Sequence, residues 1–361
     1  MIKVILIYFT TFLWVIKTDA QNAAQDSASL DYKKIYSFCL DANIPAALKI
    51  VSLDKSPISV KDSNFIENFK NRFAFSLDKS NYIQENSSKI DSLFKIFRRY
   101  WRSALLEPTA QFDTTFLTEL NTFFREMNLK TENRLINKDS IDFYFKKYIS
   151  NNNLHATDGV GKTGKLYDLL VWQTQKDTTY SFKVHKERIT VKVIFMSNFI
   201  TLGWEDYATI GRYYPSGWAT DSALYCVTKS YDLTSEKFLI SYLAHEGRHF
   251  KDYKVFPKLK SPDLEYRAKL TELSLARKTL YSLIEFFISN SNYHSESSHQ
   301  IANYCVISNL SKKIFKKDFE NDIEKWKRID TAIINKTAYS VLKNNTIILK
   351  KNAANIQSYI K

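Results

Sequence analysis

The residues of this chain best suited to chemistry, by type and by spacing, are His245-Glu246-Gly247-Arg248-His249. Positions i and i+4 of a helix lie on one face about one turn apart, so two imidazoles placed there can hold one metal ion. Glu246, one step round, points toward the open coordination position. Zinc hydrolases use this arrangement, with two His as ligands and a Glu that takes a proton from the activated water. Zn2+ is therefore the expected cofactor, His245 and His249 the expected metal ligands, and Glu246 the expected general base.

Such a site needs a third protein ligand and leaves one position for water. Ser261-Pro262-Asp263 marks a helix start, with Ser as cap and Pro at the first helical position. That helix carries Glu265 and Glu272, about two turns apart and sharing a face with Ala268, whose small side chain lets two helices approach closely. Glu265 is the favoured metal ligand, and Glu272 is expected to orient a His through its other ring nitrogen. A hydrolase also needs a donor for the developing oxyanion. Tyr253, Tyr293, His294, His299 and Arg248 qualify by type, and the sequence does not choose among them.

His245-Glu246-x-x-His249 followed by a Glu on the next helix resembles the gluzincin group of zinc metallopeptidases. The resemblance covers roughly residues 185–280, and its sharp part is the five-residue motif. It implies His245, His249 and Glu265 as zinc ligands, Glu246 as base, and hydrolysis of a peptide bond. It also implies a substrate-lining β-sheet just before the motif helix, which Ile189 to Thr228 would supply. Lys269 stands where that group often has an Asp after the distal Glu.

The elements that must position these residues are legible as patterns. Leu239, Tyr242, Leu243, Phe250 and Tyr253 predict an amphipathic helix around the motif, capped by Thr234 or Ser235 and ended before Pro257. Thr178–His185 and Ile189–Met196 alternate as the two short strands of a hairpin, and Leu224–Thr228 reads as another strand. From Ser235 onward the chain reads as helical. From Tyr32 to about Ile149 it is also helical, with aromatic stripes at Phe65/Phe69/Phe73/Phe75, Leu93–Trp101, Phe116–Phe124 and Ile141–Tyr148 that read as core. The polar stretch Asn151–Lys165 marks a boundary. The expected fold is α+β and mostly helical: a helical N-terminal region over 21–150, then a zincin-like catalytic domain over 151–361 with a small sheet before the motif helix.

Composition narrows the function classes. Over 361 residues, 44% hydrophobic and 25% charged content excludes wholesale disorder, and 22 Tyr, 25 Phe and 6 Trp supply a large core. Three Cys cannot build a disulfide framework. The net charge of +14 is spread along the chain without a nucleic-acid-binding signature, so it reads as a solvated surface and no nucleic-acid partner is expected. Ala156–Thr163 and Gly159–Lys165 imitate phosphate loops but follow Asn151-Asn152-Asn153, where a buried strand is required, so nucleotide binding is not expected.

Residues 1–20 have the layout of a secretory signal: Lys3, an apolar run Val4–Ile16, and Ala20 before Gln21. That run is short for a membrane span. The expectation is an exported protein, periplasmic or secreted, with no stable membrane insertion after cleavage and with a peptide or protein as substrate. Two rivals stand beside it. One is a non-catalytic exported binding protein on a zincin-like scaffold, and the other is a metal-dependent hydrolase of a non-peptide amide.

Overall fold

The computed structural model describes residues 30–53, 59–80, 90–127, 138–351 and 360. The expected signal at 1–20 lies outside the described residues. Helices dominate, and the strands form one five-stranded sheet and one two-stranded ribbon, so the chain is a mostly helical α+β protein. It divides into two compact units, residues 1–175 with 196–216 and residues 176–195 with 217–361.

The first unit holds α1 (Tyr32–Leu40), α2 (Ile44–Leu53), α3 (Val60–Phe73), α4 (Asp91–Leu106), α5 (Asp113–Glu126) and α6 (Lys138–Asn151). It also holds the short strands β1 (His155–Ala156), β2 (Lys162–Thr163) and β3 (Leu166–Tyr167). The aromatic stripes form its core as their spacing requires: the Phe97 and Phe116 rings meet edge to face at 4.9 Å, and Tyr100 stacks on Phe116 at 4.3 Å. Phe75 and Phe143 depart from the stripes and are exposed, because Phe75 follows the end of α3 and Phe143 points off the buried face of α6. The phosphate-loop imitation is not followed by a helix. The Asp142 carboxylate accepts from the Val160 backbone N–H at 2.7 Å and lies against Gly159, and Lys162 opens a strand rather than a helix.

The hairpin is longer than its alternation predicts: β4 begins before and β5 ends beyond the alternating segments, in stretches whose burial does not alternate. Its strands β4 (Leu170–Val184) and β5 (Glu187–Leu202) run through both units, so the chain does not divide at a single point near residue 150, where α6 ends. Trp204–Ala208 forms α7 in the first unit. In the second unit β6 (Gly217–Ala219) pairs antiparallel with β7 (Leu224–Val227), and the sheet order is β1-β4-β5-β7-β6.

The rest of the second unit is helical. A π-helical segment, Lys237–Ala244, leads directly into α8 (His245–Val255). It is followed by α9 (Ser261–Leu275), α10 (Leu280–Ser289), α11 (Ser298–Ile314), α12 (Ile323–Lys327) and α13 (Thr331–Lys351). Ser235 caps the start, its Oγ accepting from the Phe238 N–H at 3.1 Å. The amphipathic pattern expected around the motif is not what forms: every residue from Ser241 to Phe250 is buried, and Leu239 is exposed. The cause is covering on several sides. A Cβ at Gly247 would come within 2.6 Å of Phe182 Cζ on β4, so only glycine lets the hairpin lie this close, while α9 packs along α8 elsewhere. Among the described residues no helix is long and apolar enough to cross a membrane.

Candidate metal centre

The sequence of α9, SPDLEYRAKLTELSL, is rich in polar residues, yet Asp263 through Ser274 are all buried. Tyr266, Leu270 and Leu273 join the apolar core with Val306, Ile307 and Leu310 of α11 and Ala338 and Leu342 of α13. The neighbouring α8 covers α9 as well. Polar groups buried this way carry a large desolvation penalty unless they find partners. The partners lie mostly on α8, and they form two clusters.

The first cluster brings together three of the residues singled out by spacing. His245 Nε2 and His249 Nε2 are 3.1 Å apart, His245 Nε2 lies 3.4 Å from Glu265 Oε2, and His249 Nε2 lies 3.2 Å from Glu265 Oε1. A tetrahedral zinc ion with bonds of about 2.0–2.1 Å sets its ligands about 3.3–3.4 Å apart. The two imidazoles lie near that spacing from each other and from different oxygens of the Glu265 carboxylate, and with one ligand atom from each residue the group spans 4.8 Å. Glu272 takes the orienting place: its Oε1 accepts from His245 Nδ1 at 2.6 Å. With the proton on Nδ1, the Nε2 lone pair faces His249 and Glu265, which is the tautomer a metal ligand needs.

The charges agree with that reading. Glu246, Glu265, Glu272 and Lys269 are all buried. Burial works against a charge on His245, but Glu272 and Glu265 outweigh it and push its pKa up to about 10. A proton and a metal ion compete for the same nitrogen. Burial also opposes ionisation of Glu265, yet His299 and His249 beside it hold its carboxyl well below the usual range.

Glu246 is fully buried, and neither of its carboxylate oxygens has a hydrogen-bond partner among the described residues. Burial pushes it up to about 7, against the pull of His249 and His245. A carboxyl poised near neutrality can both accept and release a proton. Of the candidate oxyanion donors, Tyr253 and His299 lie at the cluster. The Tyr253 ring stacks on His249 at 6.2 Å, and His299 Nδ1 is 2.9 Å from Glu265 Oε2. The His299 side chain is 25% exposed, whereas those of His245, His249 and Glu265 are 4%, 0% and 0% exposed, so solvent reaches the cluster most readily at His299. Tyr293 and His294 are exposed and take no part in it.

The second cluster claims Arg248. Its Nη2 donates to Glu187 Oε2 at 2.5 Å and its Nε to Thr271 Oγ1 at 3.1 Å. Arg267 forms a two-pronged pair with Asp252, Nε to Oδ2 at 2.7 Å and Nη2 to Oδ1 at 3.0 Å, and its Nη1 reaches Asn345 Oδ1 on α13 at 2.6 Å. This buried network bolts α8 to α9 close beside the ligand trio and is structural. Sequence reasoning missed Arg267 and Asp252. Arg267 lies on α9 and Asp252 on α8, and their pairing shows only once both helices are known to be buried against each other.

Comparison with family models, curated proteins and solved structures found no match for this chain.

Proposed function

We propose that this protein is a zinc-dependent hydrolase of peptide bonds, built on a zincin-like catalytic region of the gluzincin kind and acting outside the cytoplasm. The observation that carries the reading is the convergence of His245 Nε2, His249 Nε2 and the Glu265 carboxylate, whose two oxygens each lie 3.2–3.4 Å from one imidazole, with a buried Glu246 carboxyl that has no hydrogen-bond partner among the described residues. His245, His249 and Glu265 would hold the ion. When bound, zinc polarises a carbonyl and makes water a nucleophile at neutral pH.

The chain's own residues supply the remaining chemistry. Glu272 holds the His245 ring in its ligating tautomer. Glu246 accepts a proton from the attacking water and passes it to the leaving amine. Tyr253 and His299 are the two of the expected oxyanion donors that lie at the site. The exported location rests on the sequence of residues 1–20.

Glu246→Gln tests the reading. It keeps the shape and the metal ligands while removing the base, so zinc content should stay unchanged and turnover of a quenched-fluorescent peptide library should fall by about 100-fold or more. Turnover equal to wild type would sink the mechanism. A second reading is favoured by His299: a fourth donor beside Glu265 would close the coordination sphere and make the metal structural, on a non-catalytic binding protein. In that case wild type holds zinc, hydrolyses nothing, and unfolds when the zinc is removed.

A further inference from the structure

We propose that Lys269 is the substrate-reading residue of this site and that the substrate carries a carboxylate close to the scissile bond. The inference rests on the hydrolase reading above. Lys269 lies on α9 one turn after Glu265 and is 4% exposed. Its Nζ is 4.0 Å from Glu265 Oε2, too long for a hydrogen bond, and 4.7 Å from the centroid of the Phe287 ring. No other carboxylate lies within ion-pair distance of it among the described residues, and no hydrogen bond is made by its ammonium there.

The residue is almost wholly covered, yet its ammonium keeps a small solvent contact and makes no hydrogen bond to a described residue, so its donors are open to a ligand that arrives from solvent. The Phe287 face holds the cation in place without satisfying its donors. Glu265 cannot serve it fully, because the Glu265 oxygens also face His245, His249 and His299. Lys269 is therefore a fixed cation beside the metal ligands with its hydrogen-bonding capacity unspent.

An anion is what completes it, and the surroundings choose which. Glu246, Glu265 and Glu272 repel a dianion such as phosphate, whereas a single carboxylate matches the one ammonium in charge and in donor geometry. On a peptide that group is either a free C-terminus or an Asp or Glu side chain.

The test uses the full chain loaded with zinc and three tetrapeptides of one neutral sequence: one with a free C-terminal carboxylate, one amidated, and one amidated with Asp beside the scissile bond. Binding is measured by calorimetry on Glu246→Gln protein, which does not turn the peptides over, with and without Lys269→Gln. The expected result is at least about tenfold tighter binding of a carboxylate-bearing peptide than of the neutral amide, lost when Lys269→Gln is added. The free-terminus and Asp arms then identify the source of the carboxylate.

Equal affinity for all three peptides overturns the proposal without recourse to any Lys269 variant. A preference that survives Lys269→Gln also overturns it, since the metal alone would then read the carboxylate. If Lys269→Gln does not fold, Lys269→Arg, which keeps the cation, must keep the preference. Zinc content is read on the same samples. A folded chain without zinc defeats the hydrolase reading and the inference with it, while zinc present with no carboxylate preference defeats the inference alone.

Discussion

Replacing Glu272 by Gln changes one oxygen to an amide group at the end of the shortest hydrogen bond in the metal centre, 2.6 Å from His245 Nδ1. Both side chains are buried, with 4% and 5% exposure, so solvent screens little of the interaction. Gln can still accept the Nδ1–H through its carbonyl, so the ring keeps its orientation and its tautomer. What it loses is the negative charge that makes Nε2 a stronger donor to the metal. Loss of an outer-shell partner of this kind typically weakens metal binding about 10- to 100-fold, or about 1.4–2.8 kcal/mol. Competition against a chromophoric chelator measures that directly. Glu272→Leu removes the acceptor as well and strands a buried N–H, so it should in addition lower stability by about 1–3 kcal/mol. Zinc affinity of Glu272→Gln within about twofold of wild type, with an unchanged melting curve, would refute the role given to Glu272.

Three other outcomes are expected. Gly247→Ala sets a methyl 2.6 Å from Phe182 Cζ; the hairpin must shift, and denaturant titration should show a loss of about 1–3 kcal/mol. Arg267→Met leaves Asp252 charged and buried without its two-pronged partner, which should cost about 3–5 kcal/mol by the same measurement. In the first unit, burial pushes Asp168 up to about 7 and Glu205 up to about 8. Both carboxyls hold their protons more tightly folded than unfolded, so the stability they contribute is fully present below about pH 4 and is lost as pH rises through about 7–8. The melting temperature should therefore fall as pH rises from about 4 to about 8 and then level off with respect to these groups, and Glu205→Gln should flatten that fall. A flat profile in wild type would contradict the assignment.

How much of this was legible in the sequence depends on what each feature rests on. The i, i+4 spacing of His245 and His249 is a local property of a helix, and so was readable. The start of α9 was readable to within one residue, since Ser261 is its first helical residue and Lys260, without a side-chain cap, takes the position expected for Ser261. The places of Glu265 and Glu272 followed from the helical repeat once α9 was assumed to return along α8. Burial was not legible. Hydrophobic periodicity detects a helix with one wet face, but α9 and the motif segment are covered all round, and the covering groups come from distant residues such as Phe182, Val306 and Asn345. The same holds for His299, which approaches Glu265 only through the packing of α11 on α9. The π-helical run before His245 has no sequence signature of the kind a cap or a proline gives.

The central claim is a metal held by His245, His249 and Glu265, and X-ray absorption at the zinc edge tests it most directly. The sample is zinc-replete protein, measured beside a His249→Ala control. The account predicts about one zinc per chain, coordinated by nitrogen and oxygen alone at about 2.0–2.1 Å, and lost in a control that remains folded. No zinc in the folded wild type, zinc undiminished in the control, or sulfur among its ligands would contradict it.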